Sequence, residues 1–567
     1  MTAILSKGLS PGPWETIHRE LGAEMPDADD RPLSVHVELH ARSMPDNIAL
    51  TYYDRSISYA ELDRLSNQLA NALATLGFGH GDVVGIHMPN IPQYVIALLA
   101  ASKLGVTVSG ISAMLAPAEL ARQIEDANIK LLFSLDSMAE ATVGALENLP
   151  ACLTDVIVSA ADDFLQTEKT DIPNLGQVNC HSFMDIISSA SSEFQQVELP
   201  PDHILLIQYT GGTTGPSKGA QLTLGGAMLN APLSQVYCPW ELGEETVASA
   251  LPLFHVAGMV KLTISLRYGA HFVLIPNPRD IDHFCRQMIK HPPTRIGAVP
   301  TLYQQIADNP LSDSIDFSGI KFAMTGSAPI TGSDRVRIER MLGGIVLSDS
   351  YGMTETGPAI VANPPERCKA EAVGIPLPGV DVRIVDVETG TRELSYGEAG
   401  EIIAATPCLM AGYLNRPEET ANAVREWQGK SWMHTGDVGV MDEDGYIYLR
   451  DRTKDMIIVS GFKVFSTEVE NELAALDCIA ISALIGSPDP ARPGSEIVNL
   501  YVELVDGAKQ REPDELRKEI LDFCEINLAR YKKPKAIHLL DAMPLTAVGK
   551  VDKKALRASL HGSQNQS

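Results

Sequence analysis

Four short apolar runs in this chain each stop at a polar or glycine-rich loop, and that repeated arrangement narrows the fold most. Ile204-Leu205-Leu206-Ile207 leads into TGGTTG, Val247 to Leu251 into PLFH, Ile320 to Met324 into TGSAP, and Ile345-Val346-Leu347 into SDSYGMTET. Short apolar runs closed by such loops read as buried strands, and open α/β sheets collect ligands at the carboxyl ends of their strands. Four such loops can converge on one site. Helix signals fall between strand signals, as an α/β fold requires. Ser58 and Glu61 form a capping box, followed by Leu62, Leu65, Leu69, Leu73 and Leu76 at helical spacing until Gly77. Val83 to Ile86 then reads as a strand and Gln93 to Leu104 as a helix.

At 567 residues the chain exceeds what one hydrophobic core serves, so two or more domains are expected. Residues 1 to about 35 are weakly patterned, and 163 to 202 form a polar stretch with Ser188, Ser189, Ser191 and Ser192 clustered. Asp444-Gly445 marks a hairpin between Val438–Val440 and Tyr446–Tyr448. The charged break Asp451-Arg452-Thr453-Lys454-Asp455 sets a boundary. We expect a large, multi-sheet α/β N-terminal domain over 1–451 and a small, mobile α+β C-terminal lid over 455–567, hinged near Lys454. The tail from Ser559 reads as unstructured.

A net charge of −27 argues against nucleic-acid binding, which needs clustered cations. Anionic substrates must then be held by local devices: backbone amides, a few placed cations and a metal ion. The eight cysteines are dispersed without a Cys-x-x-Cys pair, and the N-terminus lacks a signal-length apolar run. The apolar stretch from Tyr94 to Ala116 contains Lys103, Gly105 and Gly110, so it reads as a buried helix plus strand, with no transmembrane segment. The expectation is a cytoplasmic protein, with a homodimer carried as its assembly.

The densest signal is YTGGTTGPSKGA, Tyr209 to Ala220. Gly211, Gly212 and Gly215 let backbone N–H groups turn toward phosphate oxygens, Thr210, Thr213 and Thr214 add hydroxyls, and Lys218 adds a charge. A Walker A loop needs Gly-Lys-Ser/Thr, whereas Lys218 stands between Ser217 and Gly219. Taken alone, a glycine- and threonine-rich turn is as readily structural.

These residues, with the motifs below in the same order, resemble the adenylate-forming superfamily of acyl-CoA synthetases, peptide-synthetase adenylation domains and beetle luciferases. The resemblance runs from about Leu39 to Leu556 and is strongest to the fatty-acid–CoA ligase branch. One departure concerns the phosphate loop: the family commonly has Gly-x-Pro-Lys-Gly, and here Pro216-Ser217 precedes Lys218-Gly219. The resemblance implies that Gly326, Ser327 and Ala328 line an adenine pocket and that Tyr351 stacks on the base, with Gly352 beside it. Asp349 would accept from the adenine amino group, Thr354 would donate to the α-phosphate, and Glu355 would hold Mg²⁺ as a hard oxygen ligand. Asp437 would hold the ribose hydroxyls, with Arg452 a second ribose or phosphate contact. Lys550, in PLTAVGK, would be the catalytic lysine that stabilises charge at the reacting oxygens. Gly461 would leave room for the pantetheine of coenzyme A, and Lys454 would be the hinge between two lid orientations. His255 corresponds to a residue at the acyl pocket, as a gate or carboxylate contact; an ionised carboxylate needs no general base. The luciferase branch has a lysine where Ile458 stands.

The implied function is ATP-dependent acid–CoA ligation using ATP, Mg²⁺ and coenzyme A on a small carboxylic acid. The TGG loop and Thr356 to Pro364 resemble fatty-acyl enzymes, and Gly357, Ala359 and Ala362 leave room for an alkyl chain. The alternatives are an aryl-acid ligase, an acyl-AMP ligase that loads a carrier protein, and an inactive nucleotide-binding scaffold. Joint retention of Lys218, Glu355, Asp437 and Lys550 speaks against the last.

Overall fold

The computed structural model describes residues 12–27, 29–146, 148–165, 172–176, 178–210, 217–233, 236–326, 330, 332–460, 462–490, 492, 495–545 and 551–564. Two compact units emerge. The first takes the described residues up to Thr210 together with Ser217–Asp381 and Ala405–Met433; the second takes Val382–Ala404 and the described residues from His434 onward.

Two large sheets organise the first unit. An eight-stranded sheet runs, in spatial order, Gly412–Tyr413, Lys218–Thr223, Ile204–Thr210, Thr107–Gly110, Val83–His87, Leu131–Leu135, Asp155–Ser159 and Asn179–Ser182. A nine-stranded sheet runs Ile375–Pro376, Ala359–Ala362, Leu347–Gly352, Phe322–Thr325, Arg295–Gly297, Thr246–Ser249, His271–Leu274, Ile48–Tyr52 and Arg55–Ser58. The expected strands ending in PLFH, TGSAP and the YGMTET segment all lie in the nine-stranded sheet, and the strand before TGGTTG lies in the other. The PLFH loop comes up against the eight-stranded sheet: a Cβ on Gly110 would come 3.0 Å from the Phe254 carbonyl and 3.4 Å from Gln208 Nε2 of the strand before TGGTTG.

Local rules hold where expected. Ser58 Oγ accepts from Glu61 N at 3.2 Å to start helix Tyr59–Thr75, whose Leu62, Leu65, Leu69 and Leu73 are buried. Helix Pro92–Leu104 is buried on all sides, and its one charge is neutralised: Lys103 Nζ donates to Asp63 Oδ1 and Asn67 Oδ1, both at 2.6 Å. A buried lysine needs such partners.

Four expectations are corrected. The weakly patterned N-terminal region holds helices Trp14–Leu21 and Leu33–Ser43. Within the polar 163–202 stretch, strand Asn179–Ser182 and helix Phe183–Ser189 form around buried Phe183 and Ile187. The run Ile345-Val346-Leu347 is no strand; the strand is Leu347–Gly352, because Leu347 to Asp349 pair parallel with Ala323 to Thr325 while Ser350 to Gly352 pair antiparallel with 359–362. The tail is helical as Lys553–Gln564, anchored by Leu556, which is 3% exposed.

In the second unit, the Asp437–Met441 part of strand Lys430–Met441 pairs with Ile447–Arg452 in the expected hairpin, and Asp442 Oδ1 accepts from Tyr446 N at 2.9 Å while Gly445 takes φ 90°. Beyond it lie a two-stranded ribbon, Ile457–Val459 with Phe462–Val464, and a three-stranded sheet of Ile479–Pro488, Glu496–Leu504 and Ala536–Leu540. Val469, Leu473, Leu516 and Ile520 from two helices close one core over these strands. Among the described residues no helix is long and apolar enough to cross a membrane.

Candidate active site

The phosphate-loop candidate is the connection of an antiparallel hairpin. Thr210 lies opposite Lys218, and its Oγ1 donates to the Lys218 carbonyl at 3.4 Å. A strand, not a helix, follows the loop, so the topology differs from a Walker A arrangement as the sequence indicates. Gly211, Gly212, Thr213, Thr214 and Gly215 lie outside the described residues. The base of the hairpin is braced: Tyr209 Oη donates to Asp126 Oδ2 at 2.7 Å. A Cβ on Gly219 would come 3.1 Å from the Tyr209 ring, so glycine lets the two strands close over it.

The YGMTET residues continue the adjacent sheet. Tyr351 is 8% exposed within its strand. Gly352 is demanded by packing, because a Cβ there would meet the Pro358 carbonyl at 1.8 Å. Thr354 and Glu355 occupy the short 3₁₀ turn Thr354–Thr356 and are 8% and 5% exposed. Glu355 Oε1 accepts from Tyr413 Oη at 2.6 Å, and the Lys218 ammonium stands 4.3 Å from the centroid of the same ring. Burial, reinforced by the Glu355 charge, pushes the Tyr413 phenol pKa well up, so it stays a donor. A carboxylate accepting one O–H keeps acceptor capacity for a cation. Among the described residues no group of three or more His, Cys, Asp or Glu could hold a metal. Mg²⁺ shared with nucleotide phosphates needs only one or two protein carboxylates, so Glu355 fits that ion.

Asp349 is more engaged than expected: its Oδ2 receives a hydrogen bond from Arg335 Nη2. Burial raises its pKa and the Arg335 guanidinium opposes the shift. At the neighbouring strand end, Thr325 Oγ1 is buried without a hydrogen-bond partner among the described residues, directly before Gly326. An unpaired hydroxyl there suits a ligand with polar edges. Ser327 and Ala328 lie outside the described residues.

His255 caps helix Val256–Arg267, its Nδ1 accepting from Ala257 N at 3.3 Å. From that helix Val256, Met259, Val260 and Thr263 line a narrow apolar cavity of about 30 Å³, with Leu98 and Gly357 among the other walls. Of the three small residues expected to make room for an alkyl chain, Gly357 reaches this cavity. Its smallness also has a backbone cause: φ is 80°, and a Cβ would meet Cys408 Cβ at 2.8 Å. Ala359 and Ala362 lie in strand Ala359–Ala362.

In the second unit, Asp437 and Arg452 face each other across paired strands, with Arg452 Nε 3.0 Å from Asp437 Oδ1. Glu401 braces the segment before Asp437: His434 Nδ1 lies 3.0 Å from Glu401 Oε2, and Gly436 N donates to Glu401 Oε1 at 3.1 Å. Lys454 has its pKa lowered to about 8 by surrounding chain first and by Arg452 second, although the residue as a whole is exposed. Gly461 and Lys550 lie outside the described residues.

Sequence reasoning missed Tyr413, Arg335 and Glu401. The only local signal for Tyr413 was the glycine before it and Leu-Asn-Arg-Pro after it.

Residues 37–414 match the AMP-binding enzyme family, and 468–550 match the AMP-binding enzyme C-terminal domain. The long-chain-fatty-acid–CoA ligase of Escherichia coli O157:H7 is 30% identical over 526 residues, covering 89% of this chain and 90% of that protein. The ligase of the same name from Bacillus subtilis is 30% identical over 564 residues, covering 96% and 98%. ATP-bound MatB from Rhodopseudomonas palustris has the same fold, with a TM-score of 0.77 at 27% identity over 92% of this chain and 98% of its own. With both of its units matched in order, this chain belongs to the AMP-binding enzyme family, the adenylate-forming enzymes.

Proposed function

We propose that the protein is an AMP-forming acid–CoA ligase whose acid is a medium- or long-chain fatty acid. In the first step a carboxylate oxygen attacks the α-phosphorus of ATP, the bond to the β-phosphate oxygen breaks, and pyrophosphate leaves. In the second the sulfur of coenzyme A attacks the acyl carbon, its thiol proton is lost, and AMP leaves.

The resemblance assigns each residue a part, and the chemistry of that residue supports it. Lys218 and the loop it closes receive the phosphates, Thr354 donates to the α-phosphate, and Tyr351 offers its ring to the adenine. Asp437 accepts from the ribose hydroxyls, with Arg452 fixing its carboxylate. Glu355 would hold Mg²⁺, which would supply neutralisation of phosphate charge. Lys550 stabilises the reacting oxygens in the first step. Its withdrawal by rotation at Lys454 frees the way past Gly461 for the second.

The observation that carries the choice of acid is the apolar cavity. It is walled by Gly357, two residues after Glu355, and by Val256, next to His255, and among the described residues only Ser102 and Thr263 bring side-chain hydroxyls to it. At about 30 Å³ it admits an alkyl chain only if walls move, and Met228 and Met259 are the flexible side chains able to do so. The similarity to long-chain-fatty-acid–CoA ligases supports the same choice. All eight cysteines are free, which supports a cytoplasmic site of action.

The test is pyrophosphate release across C2 to C18 fatty acids and aryl acids, with and without coenzyme A. Fatty-acid-dependent release coupled to thioester formation is expected. Release without thioester would favour a carrier-protein acceptor, a best rate with aryl acids would move the substrate class, and no release with any acid would overturn the assignment.

A further inference from the structure

Among the described residues, Tyr413 stands between Lys218 of the phosphate-loop hairpin and Glu355 of the 3₁₀ turn and touches both. Its hydroxyl donates to Glu355 Oε1 at 2.6 Å, and its ring carries the Lys218 ammonium 4.3 Å from the centroid. Tyr413 is 7% exposed and sits in a segment fixed by backbone hydrogen bonds. Met410 N donates to the Glu355 carbonyl at 2.9 Å, Ala411 N to Gln221 O at 2.9 Å and Leu414 N to Gly219 O at 2.8 Å. Tyr413 N donates to Thr420 Oγ1 at 2.9 Å. The strap 410–414 thus ties the turn bearing Glu355 to the strand bearing Lys218.

We infer that Tyr413 is a positioning residue, which aims the Glu355 carboxylate at the cation and parks Lys218 for the phosphates. This rests on the proposed ATP chemistry. A free glutamate samples several rotamers, and a free lysine ammonium beside it would pair with it directly. Inserting an aromatic ring keeps the opposite charges apart: the phenol satisfies one carboxylate oxygen, and the π face holds the ammonium without neutralising it. Both charges then stay available to a ligand carrying phosphates and a divalent cation. Groups that orient a metal-binding carboxylate in this way are worth roughly 10–100-fold in metal affinity or activity.

The two contacts separate by mutation. Tyr413→Phe removes the hydroxyl and keeps the ring; Tyr413→Leu removes both. Binding is read as loss of the free Mn²⁺ electron paramagnetic resonance signal on titration with a non-hydrolysable ATP analogue, with Mn²⁺ replacing Mg²⁺. Tyr413→Phe should weaken analogue-dependent Mn²⁺ binding about 10-fold. It should leave metal-free analogue binding near wild type, and Tyr413→Leu should weaken both. In a Glu355→Gln background Tyr413→Phe should add little further loss, because the hydroxyl acts through that carboxylate. Unfolding midpoints of all variants separate misfolding from lost positioning. Unchanged Mn²⁺ binding in folded Tyr413→Phe overturns the inference and leaves the ligase assignment standing. A Tyr413-dependent Mn²⁺–nucleotide site in a protein that releases no pyrophosphate with any acid does the reverse. Equal, additive losses from Tyr413→Phe with and without Glu355→Gln also overturn it.

Discussion

Arg335, in helix Gly332–Met341, reaches the strand carrying Asp349 and binds its partly buried carboxylate, while its Nη1 donates to the Leu347 carbonyl two residues earlier. The pair holds the strand that leads into Tyr351, Thr354 and Glu355. Their side chains are 7% and 14% exposed, so water does little to screen them. Burial raises the Asp349 pKa above its ordinary value of 3.8, and Arg335 works against that shift. A carboxyl with a raised pKa contributes its stability fully below the ordinary value and loses it as pH rises through the folded-state value. Arg335→Ala should therefore cost about 3 kcal/mol near pH 7, since it strands a buried charge. The deficit should shrink as pH falls, because protonation of Asp349 removes the charge that Arg335 neutralises. Denaturant unfolding at stepped pH measures this, and a deficit independent of pH would mean the ion pair is not its cause.

His255 has a structural duty as a helix cap, and its proposed duty at the acid can be separated from it. His255→Ala loses both and should cost about 1 kcal/mol of stability. It should also raise KM for the acid more than it lowers kcat, as lost uniform binding does. His255→Asn restores a capping acceptor, so stability should recover while KM stays high. Steady-state kinetics beside unfolding curves make the comparison. A large fall in kcat at saturating acid with KM unchanged would contradict a gating or orienting role.

Chain-length preference should follow the cavity walls. Met259 is 2% exposed and lines the cavity, so Met259→Ala deepens it and Ala227→Leu shortens it. One methylene is worth about 0.8 kcal/mol, or roughly fourfold in kcat/KM. Measured over C6 to C18 acids, the optimum should move to longer chains for the first variant and to shorter chains for the second. An identical profile in wild type and both variants would place the acyl chain elsewhere.

The two half-reactions should depend on different residues of the second unit. Lys550→Ala removes a positioned cation and should slow adenylate formation by about 10²–10³-fold. Supplied with synthetic acyl-adenylate, it should still make acyl-CoA at a near-normal rate. Gly461→Leu should form adenylate and fail with coenzyme A. Single-turnover kinetics of each step decide, and equal impairment of both steps by Lys550→Ala would contradict a rotating lid.

Much of this protein is written locally in its sequence. Helix Tyr59–Thr75 could be read because a cap and a leucine stripe are properties of neighbouring residues. The hairpin at Asp444-Gly445 and the strand ending at Thr210 follow from turn chemistry and apolar runs in the same way. Helix Leu33–Ser43 was not legible, because its buried face includes Ser34, His36 and His40. Strand Leu347–Gly352 was misplaced for a related reason. Its Ser348 is buried only because its hydroxyl donates to the Asn363 carbonyl at 2.7 Å, a partner no local pattern announces. The motif residues Lys218, Thr354, Glu355 and Asp437 could be named from types and order, yet their partners could not. Glu355 meets Tyr413 across 58 positions, through a two-residue strand too short for any periodicity. Hydrogen bonds and ring contacts act over a few ångströms of space and ignore separation along the chain. Sequence therefore determined which chemical groups this protein carries, and tertiary structure alone decided which group orients which.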